Sequence, residues 1–75
     1  MIKSKSIDAY DENGMTLLLC AVFAGDLTRV QELLQHGADC NKPQRDDPTA
    51  TPLWHAEEDF GLLKVAQLLR VKGAR

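Results

Sequence analysis

Two stretches of this chain carry the same order of residues about 35 positions apart, and that repetition restricts the fold more than any other property. The first runs Thr16-Leu17-Leu18-Leu19-Cys20-Ala21, followed past Gly25 by Val30, Leu33-Leu34 and Gly37-Ala38-Asp39. The second runs Thr51-Pro52-Leu53-Trp54-His55-Ala56, followed by Val65, Leu68-Leu69 and Gly73-Ala74. A period in this range means stacked supersecondary units, because each unit has an apolar face that only a neighbour can keep from water. Such a stack offers a binding surface rather than a catalytic pocket.

Local chemistry predicts four helices. Asp11-Glu12-Asn13-Gly14 is a turn, and the Thr16 hydroxyl caps a helix over 17–24 that Gly25 ends. Leu27, Val30, Leu33 and Leu34 fall on one stripe of a second helix over 27–35, with Asp26 as its cap and Gly37 as its terminator. The segment 38–50, with Asp39, Asp46, Asp47, Pro43 and Pro48, is a connecting loop without room for a strand. Pro52 opens a third helix over 52–59, and Leu62, Val65, Leu68 and Leu69 mark a fourth over 62–71. The fold class is therefore all-α: two helical hairpins with turn and loop fingers. The chain divides into an extended segment over 1–8, frayed over 1–6, a first unit over 9–41 and a second over 42–75.

The spacing is uneven. Thr16 to Thr51 is 35 positions, whereas Gly25 to Gly61 and Gly37 to Gly73 are 36. The apolar stripe favours 35 throughout, since a shift by one sets Arg70 where Leu34 is expected to be buried. On that register Phe60 takes the place of Gly25, and Leu63 and Val71 take those of Thr28 and His36.

Composition narrows the function. Seventy-five residues make one domain with a thin core. Nine basic against eleven acidic residues leave no basic stripe for phosphates, which argues against nucleic acid. Met15 to Ala24 is apolar except at Thr16, but it is too short to span a bilayer, and before it Asp8, Asp11 and Glu12 outnumber Lys3 and Lys5, so neither a membrane span nor a signal peptide is expected. Cys20 and Cys40 lie inside the units rather than at disulfide-framework spacing, which implies reduced thiols and a cytoplasmic location.

Asp11-Glu12-Asn13-Gly14-Met15-Thr16-Leu17-Leu18-Leu19-Cys20-Ala21 and Leu33-Leu34-Gln35-His36-Gly37-Ala38-Asp39-Cys40-Asn41 resemble the two signature stretches of ankyrin repeats, a β-turn followed by two antiparallel helices. Leu17 and Leu19 stand where that signature has Pro and His. The second unit is looser: Thr51-Pro52-Leu53 fits, Trp54 replaces the usual His, and the loop before Thr51 is two residues longer than its counterpart. Ile7-Asp8-Ala9 resembles the tail of a preceding unit.

The resemblance implies a concave groove, lined by turn tips and first helices, that holds a protein partner. Carried over by position, its partner-binding residues are Tyr10, Glu12, Asn13, Met15, Phe23 and Ala24, then the loop from Gln44 to Thr49 with Asp46 and Asp47, and Trp54, Glu57 and Glu58. Phe23 is either an exposed anchor or folded onto Leu27, and Trp54 either an anchor or a filler of the histidine's space. The acidic lining, to which Asp59 adds, is either a solvated face or the complement of a basic patch on the partner. The expected function is a non-enzymatic interaction module serving as inhibitor, immunity protein or adaptor.

Two other readings compete. Leu63 and Val71 give the last helix extra apolar surface, which fits a homodimer or larger self-assembly. Cys20, His36, Cys40 and His55 are the soft ligands and nucleophiles available for zinc or thiol chemistry. No local ligand spacing, orienting group or phosphate loop supports that chemistry, so no cofactor, metal or catalytic residue is assigned.

Overall fold

A computed structural model describes residues 7–58 and 62–74. The chain forms α1 (Leu17–Ala24), α2 (Leu27–Gln35), α3 (Pro52–Glu58) and α4 (Leu63–Val71). Within each unit the two helices pack as a hairpin, and between units α1 lies beside α3 and α2 beside α4. Asp59, Phe60 and Gly61 lie outside the described residues, as do 1–6 and Arg75, so the expected frayed start and the pairing of Phe60 with Gly25 fall there too.

The starts of the helices follow from side chains that can reach back to free amides. Oγ1 of Thr16 accepts from Leu19 N at 3.1 Å, and Oγ1 of Thr51 accepts from Trp54 N at the same distance. Asp26 does likewise for Arg29 N at 3.1 Å. Gly25 adopts φ 68° at the end of α1, a left-handed conformation that turns the chain straight into α2.

One core serves both hairpins. Leu18, Ala21, Val22, Val30 and Leu33 from the first pack with Leu53, Ala56, Val65, Ala66 and Leu69 from the second. Ties between the turns reinforce it. Asp39 N donates to Asp8 Oδ1 at 2.8 Å, and Asn41 Nδ2 donates to Gly73 O at 3.3 Å, so Asp8 holds the turn after α2 as Asn41 holds the turn after α4.

The register expected from the apolar stripe is corrected. α3 follows α1 at 35 positions, but α4 follows α2 at 36, as Leu27–Gln35 against Leu63–Val71 shows. The terminating bonds agree: Ala38 N donates to Leu33 O, and Ala74 N donates to Leu69 O. Leu69 is thus the buried counterpart of Leu33, and Arg70 does stand at the position of Leu34. Arg70 avoids burial there because it is exposed and ion-paired with Glu57 on α3. Leu63 and Val71 accordingly correspond to Leu27 and Gln35.

With that alignment, counterpart positions differ in burial in a consistent way. Leu19, Val22, Leu27 and Leu34 are buried or half-buried in the first unit, while their counterparts Trp54, Glu57, Leu63 and Arg70 are exposed. Conversely, Leu17, Cys20, Arg29 and Glu32 are exposed, while Pro52, His55, Val65 and Leu68 are buried or half-buried. The first set marks the side of a unit that faces the following one, and the second marks the side that faces the preceding one. Among the described residues, no element covers the outer member of either set.

Candidate partner-binding surface

The first finger is folded by Asp11, whose Oδ1 accepts from Asn13 N at 2.8 Å and from Met15 N at 3.0 Å. The Met15 amide is the main cause of a carboxyl held below the usual carboxylate range, with the Asn13 amide and the nearby Arg45 acting in the same direction against some desolvation. Glu12 and Asn13 are exposed at the tip, and Met15 is half-buried. The second finger is a tight loop in which Gln44 N donates to Ala50 O and Ala50 N donates to Asp47 O. Asp47 Oδ1 accepts both the hydroxyl and the amide of Thr49, at 2.7 and 3.1 Å, and the hydroxyl bond foremost holds the Asp47 carboxyl low.

The fingers lean on one another. Arg45 N donates to Gly14 O at 2.9 Å. Tyr10 is committed to this join: its hydroxyl donates to Pro43 O at 2.6 Å, and Lys42 Nζ stands 4.5 Å from its ring centroid while donating to Asp8 O. Of the groove positions carried over from the resemblance, Tyr10 is therefore a half-buried brace between fingers.

The helices contribute an aromatic strip. Phe23, 55% exposed, lies with its ring 4.3 Å from that of His55, and Trp54 meets His55 edge-on at 5.1 Å. Phe23 sits on His55 of the neighbouring unit, and Ala24 beside it is exposed. His55 Nε2 donates to Gln44 Oε1 at 2.9 Å, which fixes the imidazole between the helices and the second finger. Its burial pushes the imidazole below the usual histidine range, and Asp47 pulls weakly the other way. The middle of the strip is neutral at physiological pH.

The acidic residues divide. Asp46 pairs with Arg45 at 3.5 Å, and Glu57 pairs with Arg70 on the flank of α4. Glu58, one turn beyond Trp54, is exposed and has no ion-pair partner among the described residues. Asp47 and Glu58 are thus the carboxylates left unneutralised near the strip.

Sequence reasoning weighed His55 only as a ligand or nucleophile and placed Gln44 in the groove loop without the bond that joins the two. The available signal was the repeat itself, which places His55 opposite Cys20, on the side of α3 that faces α1. The groups weighed for thiol and metal chemistry stand apart. Cys20 is exposed, with its thiol pushed up by desolvation first and by Asp11 at 3.9 Å next, which keeps it protonated. Cys40 is buried and donates weakly to Lys72 O at 3.6 Å. Among the described residues no three of His, Cys, Asp and Glu gather as a metal site, and no helix is long and apolar enough to cross a membrane.

Of the proposed oligomer contacts, Leu63 and Val71 are 62% and 80% exposed. Leu63 is on the side that would face a following unit, and Val71 is on the outer side, where its counterpart Gln35 is also exposed. A family model described as ankyrin repeats (3 copies) matches residues 1–75.

Proposed function

Because the chain belongs to the ankyrin repeat family, whose members are generally protein–protein interaction modules and typically not enzymes, we propose that it docks a protein partner along the Phe23–His55–Trp54 strip and the two finger tips. The observation that carries this reading is Phe23, a large apolar ring held on the surface across the junction of the two units. An aromatic fixed by packing loses little conformational entropy on binding, which makes it a good anchor. The unneutralised Asp47 and Glu58 favour a basic patch on the partner. The module acts by occupancy, as inhibitor, immunity protein or adaptor, in a reducing compartment where Cys20 and Cys40 remain thiols.

Affinity capture from the native extract tests it, comparing the unaltered chain with Phe23→Ala and with Asp47→Lys/Glu58→Lys. A specific partner retained by the unaltered chain should fall away with Phe23→Ala and weaken markedly with the charge reversals, while circular dichroism shows all three folded. A partner indifferent to both changes removes the strip from consideration.

A further inference from the structure

We propose that Asn13 is a site of spontaneous deamidation guarded by the first finger, so that the finger carries a slow, one-way modification whose rate is set by how often it opens. The step needs only water. The backbone nitrogen of Gly14 attacks Asn13 Cγ, the new C–N bond closes a succinimide ring, and the side-chain nitrogen leaves as ammonia with the proton given up by the Gly14 amide. Water then opens the ring at one of its two carbonyls, giving aspartate or isoaspartate. The proposal does not depend on the partner-binding strip.

The residue that follows each asparagine selects the site. The chain has two, Asn13 and Asn41. Asn41 precedes Lys42, whose side chain crowds the attacking nitrogen, whereas Asn13 precedes Gly14, which has no Cβ to hinder attack. The fold itself requires that glycine. Its φ is +77°, and a Cβ there would stand 3.2 Å from Arg45 Cβ. The residue that lets the finger turn is thus the one that leaves its amide open to react. Asn13 is exposed at the tip, where water reaches it.

The closed finger restrains the nucleophile. Gly14 is buried, and its N–H donates to Asp11 O at 3.0 Å. Around it, Asp11 Oδ1 accepts from Asn13 N and Met15 N, Asp11 N donates to Met15 O at 2.8 Å, and Arg45 N ties Gly14 O to the second finger at 2.9 Å. The Gly14 amide must leave these bonds and lose its proton before it can reach Asn13 Cγ, so reaction passes through local opening of the finger. Isoaspartate then adds one carbon to the chain between Asn13 Cα and Gly14 N and leaves a free carboxylate at the tip. The ring of bonds from Asp11 to Met15 cannot re-form around the longer chain with its original geometry, so the finger and its tie to Arg45 are lost while the helices remain.

Peptide mapping by mass spectrometry tests it, on the full chain incubated at mildly alkaline pH with and without denaturing guanidinium. In denaturant, Asn13 should convert at least roughly tenfold faster than Asn41, and Gly14→Ala should remove that advantage, since only the missing Cβ distinguishes the site once the fold is gone. Without denaturant, conversion of Asn13 should slow at least roughly tenfold, because the reactive geometry is reached only when the finger opens. Asp11→Ala, which removes the acceptor of the Asn13 and Met15 amides, should restore much of the lost rate while circular dichroism shows the helices intact. Hydrogen exchange at the Gly14 amide of the unaltered chain gives a second reading that needs no variant: as guanidinium is raised below the unfolding transition, exchange and deamidation should accelerate in parallel. Equal conversion of Asn13 in the folded and unfolded chain overturns the proposal, and so does an Asn13 that reacts no faster than Asn41 in denaturant.

Discussion

His55 joins three parts of the surface, because it meets α1 through Phe23, its own helix neighbour Trp54, and the second finger through Gln44, with the Asp47 charge acting on it from that finger. Its folded titration is depressed by burial below the value of about 6.5 it has in an unfolded chain. A depressed histidine binds its proton better when unfolded, so its stabilising effect is full above about pH 6.5 and is lost as pH falls from there toward the folded value. Thermal unfolding followed between pH 8 and 5 should therefore show stability declining as the solution becomes mildly acidic, with His55→Gln flattening that decline. The carboxylates Asp11 and Asp47, both depressed, act in a separate and lower window: their contribution is present above the ordinary carboxylate range and is lost as pH falls through it. A His55→Gln chain that retains the whole decline near pH 6 shows that another group is responsible.

Helix ends in this chain are set by single residues, and each can be tested singly. Replacing Thr16, whose hydroxyl is buried while it accepts the Leu19 amide, by alanine should cost about 1–2 kcal/mol, and Asp26→Ala about 1 kcal/mol, both read from denaturant unfolding. Gly25→Ala should cost more than the cap at Asp26, because a side chain is strained at φ +68° and its Cβ meets Leu62 Cδ2 at 3.0 Å. These local devices are why the spans 17–24 and 27–35 could be read from the residues alone: Thr16, Gly25, Asp26 and Gly37 act within a few positions of themselves. The register of α4 could not be read this way. An apolar stripe says which residues repeat but not which side of a helix has a neighbour, and α4 buries Val65 and Leu68 against the first unit where α2 exposes Arg29 and Glu32. The groove was partly readable for a related reason. Positions such as Phe23 and Glu58 emerge from the repeat, whereas the Gln44 bond to His55 and the bracing of Tyr10 by Pro43 and Lys42 join segments far apart in the chain, which no spacing within a unit encodes.

At the scale of the whole molecule, the question is whether two hairpins this small unfold together. The core runs through both units, with Leu18, Val22 and Val30 in the same cluster as Leu53, Val65 and Leu69. Neither hairpin has another layer to bury its apolar side against among the described residues, and nearest-neighbour contact supplies much of the stability of such stacks. The ties between turns act in the same direction, since Asn41 and Cys40 of the first unit bond to Gly73 O and Lys72 O after α4. Unfolding should therefore be a single transition, and two probes can establish it. Far-UV circular dichroism reports all four helices, whereas Trp54 fluorescence reports α3 alone; the two curves should coincide. Leu18→Ala, a large-to-small change at a fully buried position of the first unit, should cost about 2–5 kcal/mol and move the Trp54 transition as far as the dichroism one. For a chain of this size that is a large part of the total stability, so both transitions should move to markedly lower denaturant. A Trp54 transition that stays in place while the dichroism shifts would mean that the second unit stands without the first, and the shared core would not be what holds the stack.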